Sequence, residues 1–540
     1  MTWSLAVVGG RLPAPRGGPA PTALAVENGR IARIGTDAEI LADADARTEV
    51  VDAHGGPVLP GFDDAHIHVL DGGLATARLR LPSEGTVRDV LDAVAEHNTA
   101  TADDSWILGS GWHYRSFPGG LPDRAALDTV TGERPTYLSS FDGHCVWVNS
   151  AALRLAGIDR DTPDPPGGTI VRDAAGDPTG ALKERASTLV HPVLPRPTAE
   201  ELVRALRTAV RALNAAGITS VQDPGTQPDE LDTWRRLRDA GELTVRARLG
   251  LPLPAGQDPA DWPEVLDGYA ALLAKVTDPD WLTGGTLKGF VDGVVESRTA
   301  ALLAPYRDAD TAGEPAFGPA ELTGLVGVAQ RRGWQVQLHA IGDRAVRMAL
   351  DAYEHARATG PDSALRHRVE HIELLDPADL PRFAGLGAVA SMQPAHAFCD
   401  PDRIRDWDRL LGPARSATAW PMRQVLRAGG TVALGTDWPV TGHDPLATLR
   451  AAVTPSNASL DPADERTVAP SGTPNHLTWA EALDAYTRGS AVAAGAEARR
   501  GTLTVGKDAD IVVLDRHPRD EGAAVTATIA AGRVVHRGTG

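Results

Sequence analysis

"PVLPGFDDAHIH", residues 57–68, is the stretch on which the reading of this chain turns. An apolar run ends in Pro-Gly, two aspartates follow, and two histidines stand one residue apart. On a β-strand, residues i and i+2 face the same side, so His66 and His68 are expected to point into one space. Two neutral imidazoles facing one point are what a metal ion needs. In isolation a strand end that happens to carry two histidines reads the same way, because short motifs match by accident. The rest of the chain has to decide.

Seven further short apolar strands follow, each ending in polar residues: "GITSVQD" (217–223), "VRARLGLPL" (245–253), "GTLKGFVDG" (285–293), "WQVQLHAIGD" (334–343), "RHRVEHIELL" (366–375), "GAVASMQPAH" (387–396) and "TVALGTDWPV" (431–440). Helical stretches such as "ELTGLVGVAQRRG" and "DRAVRMALDAYEHARATG" separate them, with Gly333 and Gly360 where helix C-caps are expected. Apolar strands alternating with amphipathic helices predict a parallel sheet, and eight such strands close a (β/α)8 barrel of the TIM type. Sites in such barrels lie at the C-terminal strand ends, where the polar residues stand.

Residues 70–215 interrupt the alternation after the first strand. They hold their own helices and strands and a Pro/Gly-rich loop or small hairpin at 159–180. An insertion leaving that strand end is expected to form a lid and a substrate wall. Both chain ends are β-rich: "ENGR" in the first 57 residues is a hairpin signal, and "GTLTVGKDADIVVLD" and "VTATIAAGRVVHRG" close the chain. The two ends are expected to pair into one small sheet domain, residues 1–57 with 490–540, beside a barrel spanning 58–489.

Composition bounds the function. The chain has 540 residues, 42% hydrophobic and 23% charged, an ordinary globular balance. A net charge of −18 disfavours nucleic acid and anionic membranes as partners. Cys145 and Cys399 are the whole cysteine complement, so no disulfide framework is implied. No apolar run approaches a membrane span, and the first 18 residues lack a signal-peptide pattern. These readings predict a cytoplasmic protein of enzyme size; the partners expected for it are a small-molecule substrate and a second copy of the chain in a homodimer.

Five strand ends carry ligand-type residues: His66 and His68 on the first, Lys288 on the fourth, His339 on the fifth, His371 on the sixth and Asp437 on the eighth. Each alone has a plain explanation. His339 also fits a hydrogen-bonded core histidine, Asp437 a turn or N-cap residue, and Lys288 a side chain snorkelling to solvent. Coincidence across all of them, in this order, is hard to sustain.

The order, with the flanking words "PGFDDAHIH", "DGHCVWVNSAAL", "LKGFVDGVVESRTA", "QLHAIGDRAV", "RVEHIELL", "QPAH" and "GTDWPV", resembles the amidohydrolase superfamily. The words are similar to the branch that includes N-substituted formamide deformylase and the exoenzyme-regulatory-protein-like amidohydrolases. The resemblance covers nearly the whole chain and implies that the terminal segments form a composite β-sandwich. It implies one metal on His66, His68 and Asp437, and a second on His339 and His371. Lys288, carboxylated by carbon dioxide, would bridge them. A carbamate supplies two anionic oxygens where an ammonium would be repelled. The variant is a single-metal site with Lys288 unmodified. Zinc suits imidazoles and carboxylates, though manganese and iron are also accepted. The implied reaction is attack of metal-activated hydroxide on an amide carbonyl, with Asp437 passing the proton to the leaving nitrogen.

Further candidates follow from the same words. His144 would donate to the carbonyl oxygen or be a structural turn histidine. His113, Asp292 and Arg298 are candidate substrate contacts, Arg298 being equally able to pair with acids. Gln393 and His396 would touch substrate or support the metal ligands. Glu184 reads as a helix residue, and Trp112, Phe117 and Trp147 as an aromatic pocket or as packing. The expected activity is hydrolysis of an N-substituted formamide or another acyclic N-acyl amine. Cyclic amides, imidazolone-type rings, esters and carbamates remain alternatives on the same site. A non-catalytic scaffold would be expected to have lost ligands, and this chain keeps them all.

Overall fold

The structure, a computed structural model, describes residues 3–13, 20–76, 78–82, 85–101, 106–361, 364–397, 401–416, 418–454 and 475–538, with only the backbone given at 401–404. Cys399 lies outside the described residues. The chain divides into two compact units: residues 1–69, 207–438 and 442–540 form the first, and 70–206 with 439–441 the second.

The first unit is built on an eight-stranded parallel sheet. Its strands are β1 (Phe62–Asp64), β2 (Ile218–Asp223), β3 (Arg246–Pro252), β4 (Leu282–Phe290), β5 (Gln335–Ala340), β6 (Arg368–His371), β7 (Val389–Met392) and β8 (Thr431–Leu434). They pair in sequence order, each parallel to the next. The sheet curls until its edges meet. Ala65 donates its N–H to the Leu434 carbonyl at 3.0 Å, and Asp437 donates to the His66 carbonyl at 2.7 Å. Burial is continuous along β2, β5, β6 and β7, as expected when both faces of a parallel sheet are covered. Helices Pro319–Arg331 and Asp343–Thr359 flank β5. Gly333, at φ 77°, ends the first with no Cβ to strain. Gly360 caps the second in extended conformation.

The opening stretch divides differently from its sequence reading. Val58–Pro60 leaves the barrel and pairs antiparallel with Ile511–Leu514. The barrel strand begins only at Phe62 and ends at Asp64, so His66 and His68 lie beyond it. The cause is local. Pro60 has no N–H for a continuous ladder. A Cβ on Gly61 would sit 2.2 Å from the Thr219 hydroxyl, so the chain crosses there only as glycine.

Two four-stranded sheets come from the chain ends. Ala23–Glu27 and Arg30–Gly35 form the "ENGR" hairpin, with Asn28 and Gly29 both at positive φ, the signature of a type I′ turn. Leu5–Val8 and Glu49–Asp52 complete that sheet, and Ile511–Leu514, Val525–Ala530 and Arg533–Arg537 join Val58–Pro60 in the other. Leu5, Val26 and Val51 of one share a buried core with Val58, Ile511 and Ile529 of the other.

The second unit is a six-stranded sheet with flanking helices, including the hairpin of Gly168–Arg172 and Pro178–Glu184. Trp112, Phe117 and Trp147 are buried in its core, so the aromatic cluster is packing within this unit. Cys145 is a buried free thiol there. Among the described residues no helix is long and apolar enough to cross a membrane.

Candidate metal centre

The ligand-type residues of the first unit converge at the C-terminal ends of the barrel strands, Lys288, His339 and His371 within them and His66, His68 and Asp437 beyond. Asp437 is the hub. Its Oδ1 lies 3.2 Å from His68 Nε2 and 3.5 Å from His66 Nε2, and its Oδ2 lies 3.9 Å from His371 Nδ1. Lys288 Nζ stands 3.5 Å from His66 Nε2. The His339 ring is 4.5 Å from the His371 ring, which is 4.9 Å from that of His66. Two of these residues occupy costly backbone: His371 has φ 75° and Asp437 φ 58°. The left-handed region is unfavourable for residues with a Cβ, and such strain collects where function over-determines geometry. Here the strain falls on the last residue of β6 and, beyond β8, on the aspartate at the centre of the cluster.

The protonation states suit a cation. Burial, with Lys288 adjacent, pulls His66 down to about 4, and burial together with His339 holds His371 well below the usual imidazole range. Burial pushes the Asp437 carboxyl up, but His66 and His68 outweigh it and keep the group ionised. Neutral imidazoles with an ionised carboxylate are the forms that bind metal. Burial also lowers the Lys288 ammonium to about 8, against the pull of Glu370 and Asp437.

The donors fit a divalent ion. His66, His371 and Asp437 are buried, and each offers a ligand atom within 4.8 Å of the others. His371 Nδ1 is buried with no hydrogen-bond partner among the described residues. Such an orphan costs roughly 1–3 kcal/mol unless something fills the space.

A supporting shell fixes the ligands, and most of it went unread in the sequence. Glu370 Oε2 lies 2.6 Å from His66 Nδ1, an arrangement that sets which imidazole nitrogen faces the site. Burial raises Glu370, but Arg368 and His66 outweigh this and bring it to about 2. Arg368 in turn bonds Glu370, Gln222, Ser391 and the Ala65 carbonyl. Asp64 accepts the N–H groups of His66 and Thr436 and the Tyr486 hydroxyl at 3.2, 3.0 and 2.7 Å. The available signal was "RVE": two charges at i and i+2 on a central strand must share a polar interior.

The other candidates distribute as follows. His396 joins the cluster, Nε2 3.6 Å from Asp437 Oδ2 and Nδ1 3.7 Å from Glu373. The Gln393 side-chain amide is buried with neither end hydrogen-bonded among the described residues. Asp292 is a loop organiser as placed: its carboxylate accepts the N–H groups of Ala301, Ile341 and Gly342 at 2.8–2.9 Å. Arg298 is taken up by Asp308 in a bidentate pair. His113 and His144 belong to the second unit. His113 stacks on Phe141 at 4.3 Å, and His144 Nδ1 lies 2.9 Å from Glu184. Glu184 ends a strand, correcting its reading as a helix residue.

A (β/α) barrel holding histidines, a lysine and an aspartate at its C-terminal strand ends defines a class of metal-dependent hydrolases. The model of the amidohydrolase family matches residues 49–536, and the chain belongs to that family. It is 32% identical to the protein LONG AFTER FAR-RED 3 of Arabidopsis thaliana, over 96% of this chain and 89% of that one. It is 30% identical to the N-substituted formamide deformylase of Arthrobacter pascens, over 92% and 90%. Among solved structures, an uncharacterized metal-dependent hydrolase from Pyrococcus furiosus aligns with TM-score 0.71 and 26% identity, over 96% of this chain and all of that one. The chain is therefore a hydrolase of the amidohydrolase superfamily.

Proposed function

We propose that this hydrolase cleaves the C–N bond of an acyclic N-substituted amide, an N-formyl or other N-acyl amine. The observation that carries the reading is the convergence of His66, His68, His371 and Asp437, with Lys288 and His339 at the same strand ends. The choice of an acyclic amide rests on the likeness to N-substituted formamide deformylase along nearly the whole chain.

His66, His68 and Asp437 would hold one divalent cation, zinc by its preference for this donor set, and His339 and His371 a second. When bound, such an ion lowers the pKa of a coordinated water toward neutrality and polarises a carbonyl. Lys288 is suited to carboxylation, because burial weakens its ammonium and the neutral amine is the form that adds carbon dioxide. Asp437, ionised and central to the cluster, would take a proton from the attacking water and return it to the leaving nitrogen. Glu370 holds His66 in one orientation, so that its role does not depend on a free rotor. The shared core of the two terminal sheets supports reading them as one sandwich domain against this barrel.

The test is a screen of N-formyl, N-acetyl and longer N-acyl amines with metal-reconstituted protein, reading release of the free amine. Turnover of acyclic amides is expected. Turnover confined to cyclic amides, imidazolone-type rings or esters would overturn the choice of substrate.

A further inference from the structure

The rim of the metal cluster is apolar on one side and polar on the other, a difference the proposed chemistry leaves unused. Phe290 is the last residue of β4. It stands at i+2 from Lys288, so the two side chains share a face, and Lys288 Nζ on that face comes within 3.5 Å of His66 Nε2. The Phe290 ring lies 4.8 Å from Lys288 Nζ and 5.2 Å from the His339 ring. It is nevertheless 48% exposed, and among the described residues it is the one exposed aromatic side chain. A lone apolar group on an outer flank carries little meaning. An open aromatic ring directly beside the ligands is different, because it offers surface that a bound molecule can cover.

The far side of the rim is built from other chemistry. In a closed barrel whose eight strands follow in order, β8 stands opposite β4. Asp437 follows β8, while Gln393 follows β7 and Glu373 follows β6. Gln393 and Glu373 are buried, and both ends of the Gln393 amide and Glu373 Oε2 have no hydrogen-bond partner among the described residues. His396 links this side to the cluster, 3.7 Å from Glu373 and 3.6 Å from Asp437. Buried polar groups of this kind suit an N–H-bearing group and penalise hydrocarbon, which would leave them unpaired.

An amide carbonyl carbon carries its nitrogen on one side and its acyl substituent on the other. In the reaction proposed above, Asp437 returns a proton to the leaving nitrogen, which puts the nitrogen on the β8 side. The acyl substituent then points toward β4. We propose that Phe290 is the residue that selects the acyl group: its ring packs against an apolar acyl chain, so that amides of apolar carboxylic acids are preferred to formamides. This selection presupposes the amide hydrolysis of the preceding section. It assigns Phe290 to specificity and the polar side of the rim to the amine half of the substrate.

The experiment is calorimetric binding of straight-chain hydroxamic acids, from acetohydroxamic to octanohydroxamic acid, to the full-length, metal-loaded protein. Each probe carries its chain where the substrate carries its acyl group. In the native protein Kd is expected to fall by about two- to fourfold per added methylene, as each leaves water for the ring. In Phe290→Ala the fall should shrink to under about 1.5-fold per methylene, and in Phe290→Trp it should stay steep. Should the alanine variant fail to fold, Phe290→Asn takes its place with the same expectation. A native Kd independent of chain length, or an unchanged dependence in Phe290→Ala, overturns the proposal. So does an equal weakening at every chain length, which would make the ring only a cover over Lys288. The amide reading fails separately, by the absence of acyclic amide turnover in the substrate screen, and the binding series decides the role of Phe290 in either case.

Discussion

Two polar clusters occupy the same barrel, and they are built on different rules. In the inner one, Arg368 spends its donors on Glu370, Gln222, Ser391 and the Ala65 carbonyl, and each acid it meets has a cation. In the outer one, at the strand ends, imidazoles crowd an aspartate, His371 Nδ1 has no hydrogen-bond partner among the described residues, and two residues sit at positive φ. The first is saturated and reads as structure. The second is unsatisfied and strained, and in a stable protein that combination marks a place reserved for something else. Glu370 belongs to both, touching Arg368 on one side and His66 on the other, so the inner cluster orients the outer.

This contrast can be broken from either side. The largest effect on activity is expected from Asp437→Asn, which keeps the volume of the side chain but cannot take the proton. kcat should fall by about 10²–10⁴-fold with little change in unfolding midpoint. Near-normal kcat would remove Asp437 as the base. The inner cluster should respond in the opposite currency: Arg368→Leu is expected to cost about 3–5 kcal/mol in urea unfolding, since it strands the buried Glu370. The paired change Arg368→Leu with Glu370→Leu should recover part of that loss, and a double variant no more stable than the single would contradict the saturated-pair reading.

A pH titration sharpens the comparison further. His367 is buried beside the inner cluster, donating from Nε2 to Gln330 and accepting the Val336 N–H on Nδ1, and burial lowers it to about 4. Its folded pKa lies below its unfolded one, so the unfolded chain takes the proton first. Stability is therefore full above about pH 6.5 and declines as pH falls toward 4, by on the order of 3 kcal/mol from this residue. In His367→Gln the urea midpoint should vary less steeply over that window; an unchanged slope would assign the loss elsewhere. The smallest effect is expected at Arg298→Ala. Its partner Asp308 is partly exposed, such pairs contribute about 0–1 kcal/mol, and kcat/KM should shift less than about threefold. A loss of a hundredfold would make Arg298 a substrate contact after all.

Much of the barrel was readable because buried parallel strands are continuous apolar runs, and residues of ligand type stood at their ends in a fixed order. The boundaries read less well. "PVLPGFDDAHIH" looks like one strand, but Pro60 and Gly61 split it between two sheets, and the histidines fall in the turn that follows. The supporting shell was hidden for a different reason. Glu370 meets His66 across 304 residues of sequence, and Tyr486 meets Asp64 across 422, so no local pattern joins them. Trp112 and Trp147 illustrate the converse: an aromatic residue has the same letter in a core as in a pocket, and here both are core. The HxH motif carried more than its own geometry, since its two imidazoles reach one carboxylate although the strand that was to align them is absent.

The most direct test of the outer cluster is elemental analysis of the purified chain, native and His66→Ala/His371→Ala, prepared without chelators. The native protein is expected to carry stoichiometric divalent metal, and the double variant to lose it while remaining folded by circular dichroism. Native protein free of stoichiometric metal, with amide turnover undiminished by chelators, would contradict the account.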